Sequence, residues 1–549
     1  MPNREGGRSQ SIALNNWSRG LNNVNDLSTM ADGELGQLDN LEVDINGNLT
    51  ARPPVVKIGT SPSGKVEILG YYTKSGVTYA VAAVTGDGTY LYNLSTNSWG
   101  TRITTIVASG CAQYNEELFI CSSTTNGGFW NGTTFTVLNA AYYAADGAYK
   151  KMPAGEQIIL HKERLFMISK ETGKQPGARI FFSRVTDLVN INGIYEWDVW
   201  GKPDDDLLEG RDSFDVSPGD GQSITALISG SDEIYVFRNR STYFFKYSVD
   251  IVTESYLQQI DGTVGADNRH CVTKYEFSYL VLSNGKFYRF VSYLYYPLNE
   301  QNKLELRPKQ LSGYDIYSSV SVIGRRAIIW YGGQIYTVSL ELGTWATWTS
   351  THQPAYFKLA PRSVGDVSSD VAYGITGLTG GAYGIYRIRE SLNASDSEMM
   401  THTIQTKAHD LGAPGSWKRM YYWEADLYVG GGNRSGGLPQ NVITGTATPI
   451  QAISAVPSWD SLEAYTWDQL AAGTWDLPAA PNSDVVTEVP YESSTPYRVS
   501  VAFRRDLRFR RCAFKVQTTS NGTTAEGPVR ISSITIHAAI KQSLPQMIQ

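Results

Sequence analysis

Cysteine is scarce in this chain: four residues in 549, Cys111, Cys121, Cys271 and Cys512, with no CxxC pair among them. A disulfide scaffold needs far higher density, so that class is excluded. Cys111 and Cys121 could meet across a hairpin, but reduced core thiols are the expected state. Charge is sparse too, at 18% of residues, with a net charge of −6. No basic excess is available to grip nucleic acid through its phosphates, and a mildly acidic surface would let DNA slide past. No apolar stretch reaches 18 residues, so no membrane span is expected. The opening MPNREGGRSQS has no apolar run, so no secretory signal is expected, and the sequons at Asn93 and Asn239 are chance matches. Helical periodicity is nearly absent, with one short candidate around Ala140–Ala145. HExxH, GxSxG, Walker and strand-borne GxGxxG motifs are all missing. The six histidines, His161, His270, His352, His402, His409 and His537, show no metal spacing and read as packed or surface residues. No enzyme activity, cofactor or metal is expected.

The chain is instead rich in glycine (52) and tyrosine (34) and is 41% hydrophobic. That balance suits aromatic strands broken by glycine turns in a globular protein too long for one ordinary core. From about residue 60 to 390, strands of four to eight residues group into units of roughly 35–50 residues. KVEILGYYT, VTYAVAAVT and TYLYNL open the first unit, and IVASGCAQY, ELFICSS, GGFWNG and TFTVL make the second. The fifth contains Asn284-Gly285, a strong hairpin turn. VAYGITGLTGGAYGIYRIR reads as a seventh unit or a distorted remnant. Four-strand units at this period predict an all-β fold with a β-propeller of six or seven blades; a series of β-sandwiches is the alternative. After residue 395 the texture changes. In YYWEADLYV, Tyr421, Trp423, Ala425 and Leu427 alternate with Glu424 and Asp426, which predicts a β-sandwich. The expected organisation is therefore an N-terminal arm (1–60) packed on the C-terminal sandwich (396–549), with the propeller (61–395) beside this platform.

Three clusters stand out as candidate working surfaces. Asp204, Asp205, Asp206, Glu209 and Asp212, with Asp215 and Asp220, crowd the long connection at 190–221. They read as a solvated acidic loop, a candidate gate or interface, or a set of oxygen ligands for Ca²⁺ without EF-hand spacing. Trp459, Trp467 and Trp475 recur every eight residues, each followed by aspartate. They suit core anchors for a loop, or aromatic contacts for a partner subunit or glycan. Arg504, Arg505, Arg508, Arg510 and Arg511 form the basic run, interleaved with Phe503, Leu507 and Phe509. An exposed strand, a DNA-contacting strand and a subunit contact all fit it.

The opening segment carries a family signal in Gly20–Asn22, Gly33-Glu34, Asn40, Gly47 and Arg52-Pro53. Together with SPGDGQSITALISGSDEIYVFRNRSTYFFKYS and the ending PVRISSITIHAAIKQSLPQ, it resembles the nozzle family of short-tailed bacteriophages, also called tail tubular protein B-like. The resemblance implies a virion structural protein in the tail, assembled in the host cytoplasm. It implies a homohexameric ring below a tail adaptor ring, with fibre, spike or needle proteins nearby. Genomic DNA would pass transiently through the centre at ejection, behind a gate. The competing expectation is a glycan-binding or glycan-cleaving propeller, for instance a receptor-binding tail component, which would need a deep axial pocket with paired carboxylates.

Overall fold

The computed structural model describes residues 8–138, 152–170, 177–183, 213–246, 255–299, 304–307, 318–360, 371–376, 383–390, 398–411, 417–429, 441–450, 483–489, 497–520 and 530–541, apart from a few single positions, with the backbone alone for 483–509. All regular structure in these residues is β. The candidate helix near 140–145 lies outside them.

Seven four-stranded antiparallel units follow one another around an axis. The first blade is Val66–Lys74, Val77–Val84, Gly88–Asn93 and Ser98–Thr104, and the second runs from Gly110–Tyr114 to Phe135–Val137. The third starts at Gly155–His161, the fourth at Ile224–Ser229, the fifth at Val272–Tyr275 and the sixth at Ser318–Ile323. The seventh consists of Pro354–Leu359, Val371–Thr376 and Ile385–Arg389, completed by Val55–Ile58 from the other end of the chain. The doubtful last unit of the sequence is thus a true blade, whose fourth strand is supplied from far upstream. Those four residues, grouped with the arm in the sequence, join the propeller. Local chemistry sets the hairpins. Asn284 and Gly285 take φ of 49° and 74°, the left-handed pair that a primed turn needs to match strand twist, and Ser283 faces Lys286 across it.

The sixth blade does not end at its fourth strand. Trp345–Trp348 continues, through the parallel bridge Asp39↔Thr347, into Glu34–Asp39 and then Met400–Thr406, Arg511–Ser520, Asn441–Ile450 and Ser483–Val489, a sheet of ten strands in all. A second, six-stranded sheet joins Tyr497–Phe509, Trp417–Val429 and Arg530–Lys541 to the arm strands Arg8–Leu14, Leu41–Val43 and Leu49–Ala51. The two sheets face each other as a sandwich. Trp423, Ala425, Leu427, Ile534 and Ile536 pack against Leu38, Ile404, Phe514 and Val516, with the Trp423 and Phe514 rings 5.3 Å apart. The expected alternation holds for Trp423, Ala425 and Leu427. A bulge between Met420 and Tyr422 then puts Met420 on the buried face where strict alternation expects Tyr421. The protein is an all-β, seven-bladed propeller with a sandwich platform built from both terminal segments.

Trp423 is fully buried at the centre of that sandwich. Trp423→Ala is expected to destabilise the protein by about 3–5 kcal/mol through cavity formation; urea denaturation followed by tyrosine fluorescence reads the change in midpoint.

Candidate functional site

The acidic residues Asp204, Asp205, Asp206, Glu209 and Asp212, the tryptophans Trp459, Trp467 and Trp475, and Arg510 lie outside the described residues. The flanking acids are ion-paired. Asp215 accepts from Arg179 Nε at 2.7 Å, and Asp220 from the buried Arg238, Nη1 at 2.6 Å, which holds both carboxyls below the usual range. Among the described residues no His, Cys, Asp and Glu group is arranged to hold a metal ion. The basic run is divided between two sheets. Arg504, Arg505 and Arg508 sit on Tyr497–Phe509 at an edge of the six-stranded sheet, whereas Arg511 opens a strand of the ten-stranded sheet and donates to Ser28 O at 3.1 Å. All four cysteines are free thiols, as expected.

The structure concentrates its polar chemistry elsewhere, first at the joint between arm, propeller and platform. Gly20, Asn22, Glu34, Asn40 and Arg52, all from the opening segment, lie there. Gly20, at φ 64°, passes so close to the sixth blade that a Cβ would lie 2.9 Å from Trp345 N. Asn22 Nδ2 donates to Glu34 Oε2 at 2.9 Å, and the same oxygen accepts the Ala31 amide at 2.8 Å. Asn40, at φ 59°, donates to Thr401 O at 2.8 Å and accepts from Thr349 N at 2.9 Å and from Arg52 Nε at 2.8 Å. Arg52 is wholly buried. It grips Glu398 with both terminal nitrogens, at 2.8 and 3.0 Å, and donates to Pro53 O at 2.8 Å and Thr349 O at 2.9 Å, so all five N–H groups have partners. Its guanidinium lies 5.0 Å from the Trp348 ring centroid. Glu398 also accepts from Val55 N at 2.7 Å, the first residue of the closing strand, and from Ser350 Oγ at 2.6 Å. Burial raises the Glu398 pKa, but the Arg52 charge and the hydrogen bonds from Arg52, Ser350 and Val55 together outweigh it and the net shift is downward. His402 donates from Nδ1 to Asn40 O at 3.0 Å, and burial pushes its pKa down to about 4.

The second concentration is the propeller axis. Neighbouring innermost strands are tied by side chains acting as surrogate peptides. Gln113 exchanges two hydrogen bonds with Thr73 (2.8 and 2.9 Å), and Gln157 does so with Leu227 (2.9 and 3.0 Å). Tyr356 Oη donates to Ile68 O at 2.8 Å, sealing the seventh blade to the first. Arg269, just ahead of the fifth blade, crosses the axis. It bonds Glu67 of the first blade, Ser109 O at the second and Glu156 O of the third, the last at 2.8 Å. Beside it His270 stacks on Tyr356 with centroids 4.2 Å apart. Burial pushes the His270 imidazole down to about 4, leaving it neutral at physiological pH. Burial also raises Glu67, but the approach of His270 and the charge of Arg269 outweigh it and hold the carboxyl down to about 2. Arg269 and His270 border two cavities along the axis. One, of about 750 Å³, opens among Glu156, Asn239, Asp267 and Tyr331. The other, of about 450 Å³, is bounded by innermost strands of all seven blades, including Leu69, Cys111, Ile159, Ile228, Val272, Val320 and Lys358. In the sequence His270 reads as ordinary packing and Arg269 carries no signal, because an axial site draws single residues from distant blades.

No protein-family model and no curated protein matches the chain. Among solved structures, BamB from Moraxella catarrhalis is similar at 10% identity, covering 61% of this chain and 98% of its own, with a TM-score of 0.35. YCF48 from Cyanidioschyzon merolae is similar at 8% identity, covering 61% and 98%, with a TM-score of 0.37. BBS1N, solved in complex with ARL6DN, is similar at 11% identity, covering 62% and 97%, with a TM-score of 0.39. The propeller assignment rests on the strand pairings themselves.

Removing one partner of the Arg52–Glu398 pair leaves a buried charge. Arg52→Met and Glu398→Met are each expected to cost about 3–5 kcal/mol, and the double variant clearly less than their sum, as read by a double-mutant cycle in urea. The histidines set a pH response. His270 and His402 have folded pKa values near 4 against an ordinary 6.5, so the unfolded chain binds more protons between those limits. Stability is expected to fall as pH drops from 6.5 towards 4, by on the order of 1–2 kcal/mol per buried ring at pH 5. His402→Gln, which keeps a donor for Asn40 O, should flatten part of that slope in urea titrations at pH 7 and pH 5.

Proposed function

We propose that this chain is a virion structural protein forming the ring-shaped nozzle at the distal end of a short phage tail, where it provides and gates the channel for DNA ejection. The observation that carries this reading is the joint. Asn22, Glu34, Asn40 and Arg52, residues of the segment that resembles the nozzle family, bind arm, sixth blade, closing strand and platform into one body. A ring subunit that transmits force between neighbours needs such a body, in place of two domains on a flexible linker. The axis supports it from another side. Arg269 bars the propeller axis, so a DNA path belongs between copies of the chain, along the platforms, with the propellers outside. Catalysis is not needed for this work. Among the described residues bounding the 450 Å³ axial cavity, Glu67 is the one carboxylate, and it is engaged by Arg269. The ring would be a homohexamer, contacting an adaptor ring above and fibre, spike or needle proteins nearby.

A glycan-binding propeller is the second reading. It is favoured by aromatic side chains exposed on the fourth and fifth blades, Tyr256, Phe277, Tyr293 and Tyr296.

Light scattering of the purified protein, alone and mixed with its adaptor ring, is expected to give a hexamer, and imaging of intact particles a six-fold ring at the tail tip. A persistent monomer that binds host-surface glycan in calorimetry would sink the nozzle reading in favour of the second.

A further inference from the structure

The smaller axial cavity has an unbalanced charge. Its partly buried ionic groups come from three blades: Glu67 from the first, Arg269 beside the fifth and Lys358 from the seventh. Glu67 and Arg269 neutralise each other in direct contact. Arg269 also directs three further donors to Ser109 O, Glu156 O and the His270 ring. Lys358 has no such partner. Its ammonium donates to one main-chain carbonyl, Leu69 O, which carries no net charge. An ammonium has three donors, so two of them have no acceptor among the described residues. Burial depresses the Lys358 pKa, the sign of an ion whose surroundings do not compensate it.

Neighbouring groups do not supply the missing negative charge. Burial pushes the Cys111 thiol up to about 11, so it stays protonated at neutral pH. The His270 ring is neutral there. Lys274, exposed on the same cavity's rim, adds positive potential. The walls between are apolar, from Ile159, Val320 and Val322, and apolar walls strengthen any charge pair formed inside. A cavity of about 450 Å³ has room for a small organic acid or a phosphate together with several waters.

We propose that this axial cavity is a binding site for a small oxyanion of the carboxylate or phosphate type, held by the Lys358 ammonium, with Lys274 drawing it in at the rim. A metal cation fits poorly, because the sole carboxylate bounding the described cavity is already bound to Arg269. A neutral sugar would leave the ammonium uncompensated. The anion completes a charge pair across the seam where the seventh blade meets the first, so its occupancy stabilises the closed propeller.

The test is thermal unfolding and titration calorimetry of the full chain with inorganic phosphate, and in parallel with acetate, at constant ionic strength balanced by chloride. The wild type is expected to bind at least one of them saturably and to melt at a higher temperature as it is added; which one does so distinguishes phosphate from carboxylate. Lys358→Met is expected to lose at least about tenfold in affinity. Without added anion the variant should melt no lower than the wild type, since a methyl end replaces an uncompensated ion. Equal binding by Lys358→Met and wild type overturns the proposal. So does absence of saturable binding by the wild type at up to about 10 mM of either anion. Should Lys358→Met fail to fold, phosphorus NMR of phosphate with the wild type decides: line broadening reversed by sulfate supports the site, and unchanged lines together with no acetate binding reject it.

Discussion

The Arg52 guanidinium, buried between Glu398, Asn40 and the Trp348 ring, is the contact on which the architecture depends. Four parts of the chain meet on its five N–H groups and on the carboxylate opposite: the arm, the link between sixth and seventh blades, the closing strand and the entry to the platform. An ion buried at zero exposure is costly unless every lone pair and proton is used. Here they are used, by groups from segments hundreds of residues apart. Buried ion pairs often add less to total stability than an apolar core of the same volume would. A shift of any one of these segments would strand a charge, which favours this one arrangement over its alternatives. The ten-stranded sheet carries the same logic in backbone form, because a blade that continues into a sandwich cannot hinge against it.

The axis repeats this economy at a second place. Propeller blades have no main-chain ladder between them, so the innermost strands need other ties. Gln113 and Gln157 supply amide groups that imitate a missing strand neighbour. Arg269 spans the axis and holds three blades opposite its own. The two arginine sites thus divide the work. One fixes propeller to platform, and the other fixes the propeller to itself.

Much of the fold was legible in the sequence because its signals are local. Asn284-Gly285 announced a primed turn, the repeated aromatic strands announced blades, and Trp423, Ala425 and Leu427 announced a half-buried strand. What stayed hidden depends on distant pairing. The seventh blade looked like a remnant because its fourth strand, Val55–Ile58, is written before the first blade. The bulge at Tyr421 changed the facing of Met420, which no alternation rule reveals. The charged sites were least legible. Arg52 stands out in the sequence only as part of a pattern and not as an ion needing Glu398, and Arg269 and Lys358 belong to no motif at all. Their roles come from the ring bringing single residues to one axis. The acidic loop and the tryptophan series, the most conspicuous features of the sequence, fall outside the described residues.

The closing strand imposes an order of events on synthesis. Val55–Ile58 leaves the ribosome early, but its partner Ile385–Arg389 follows more than three hundred residues later, and the platform partner Arg530–Lys541 later still. At ordinary elongation rates the strands Arg8–Leu14 and Val55–Ile58 therefore wait on the order of tens of seconds without the partners they have in the folded protein. Such edges are templates for pairing with other chains. A cell making many copies at once, on neighbouring ribosomes, brings identical waiting arms together. The polar, glycine-punctuated character of the first sixty residues suits that interval, because polar and glycine-rich segments pair weakly as strands.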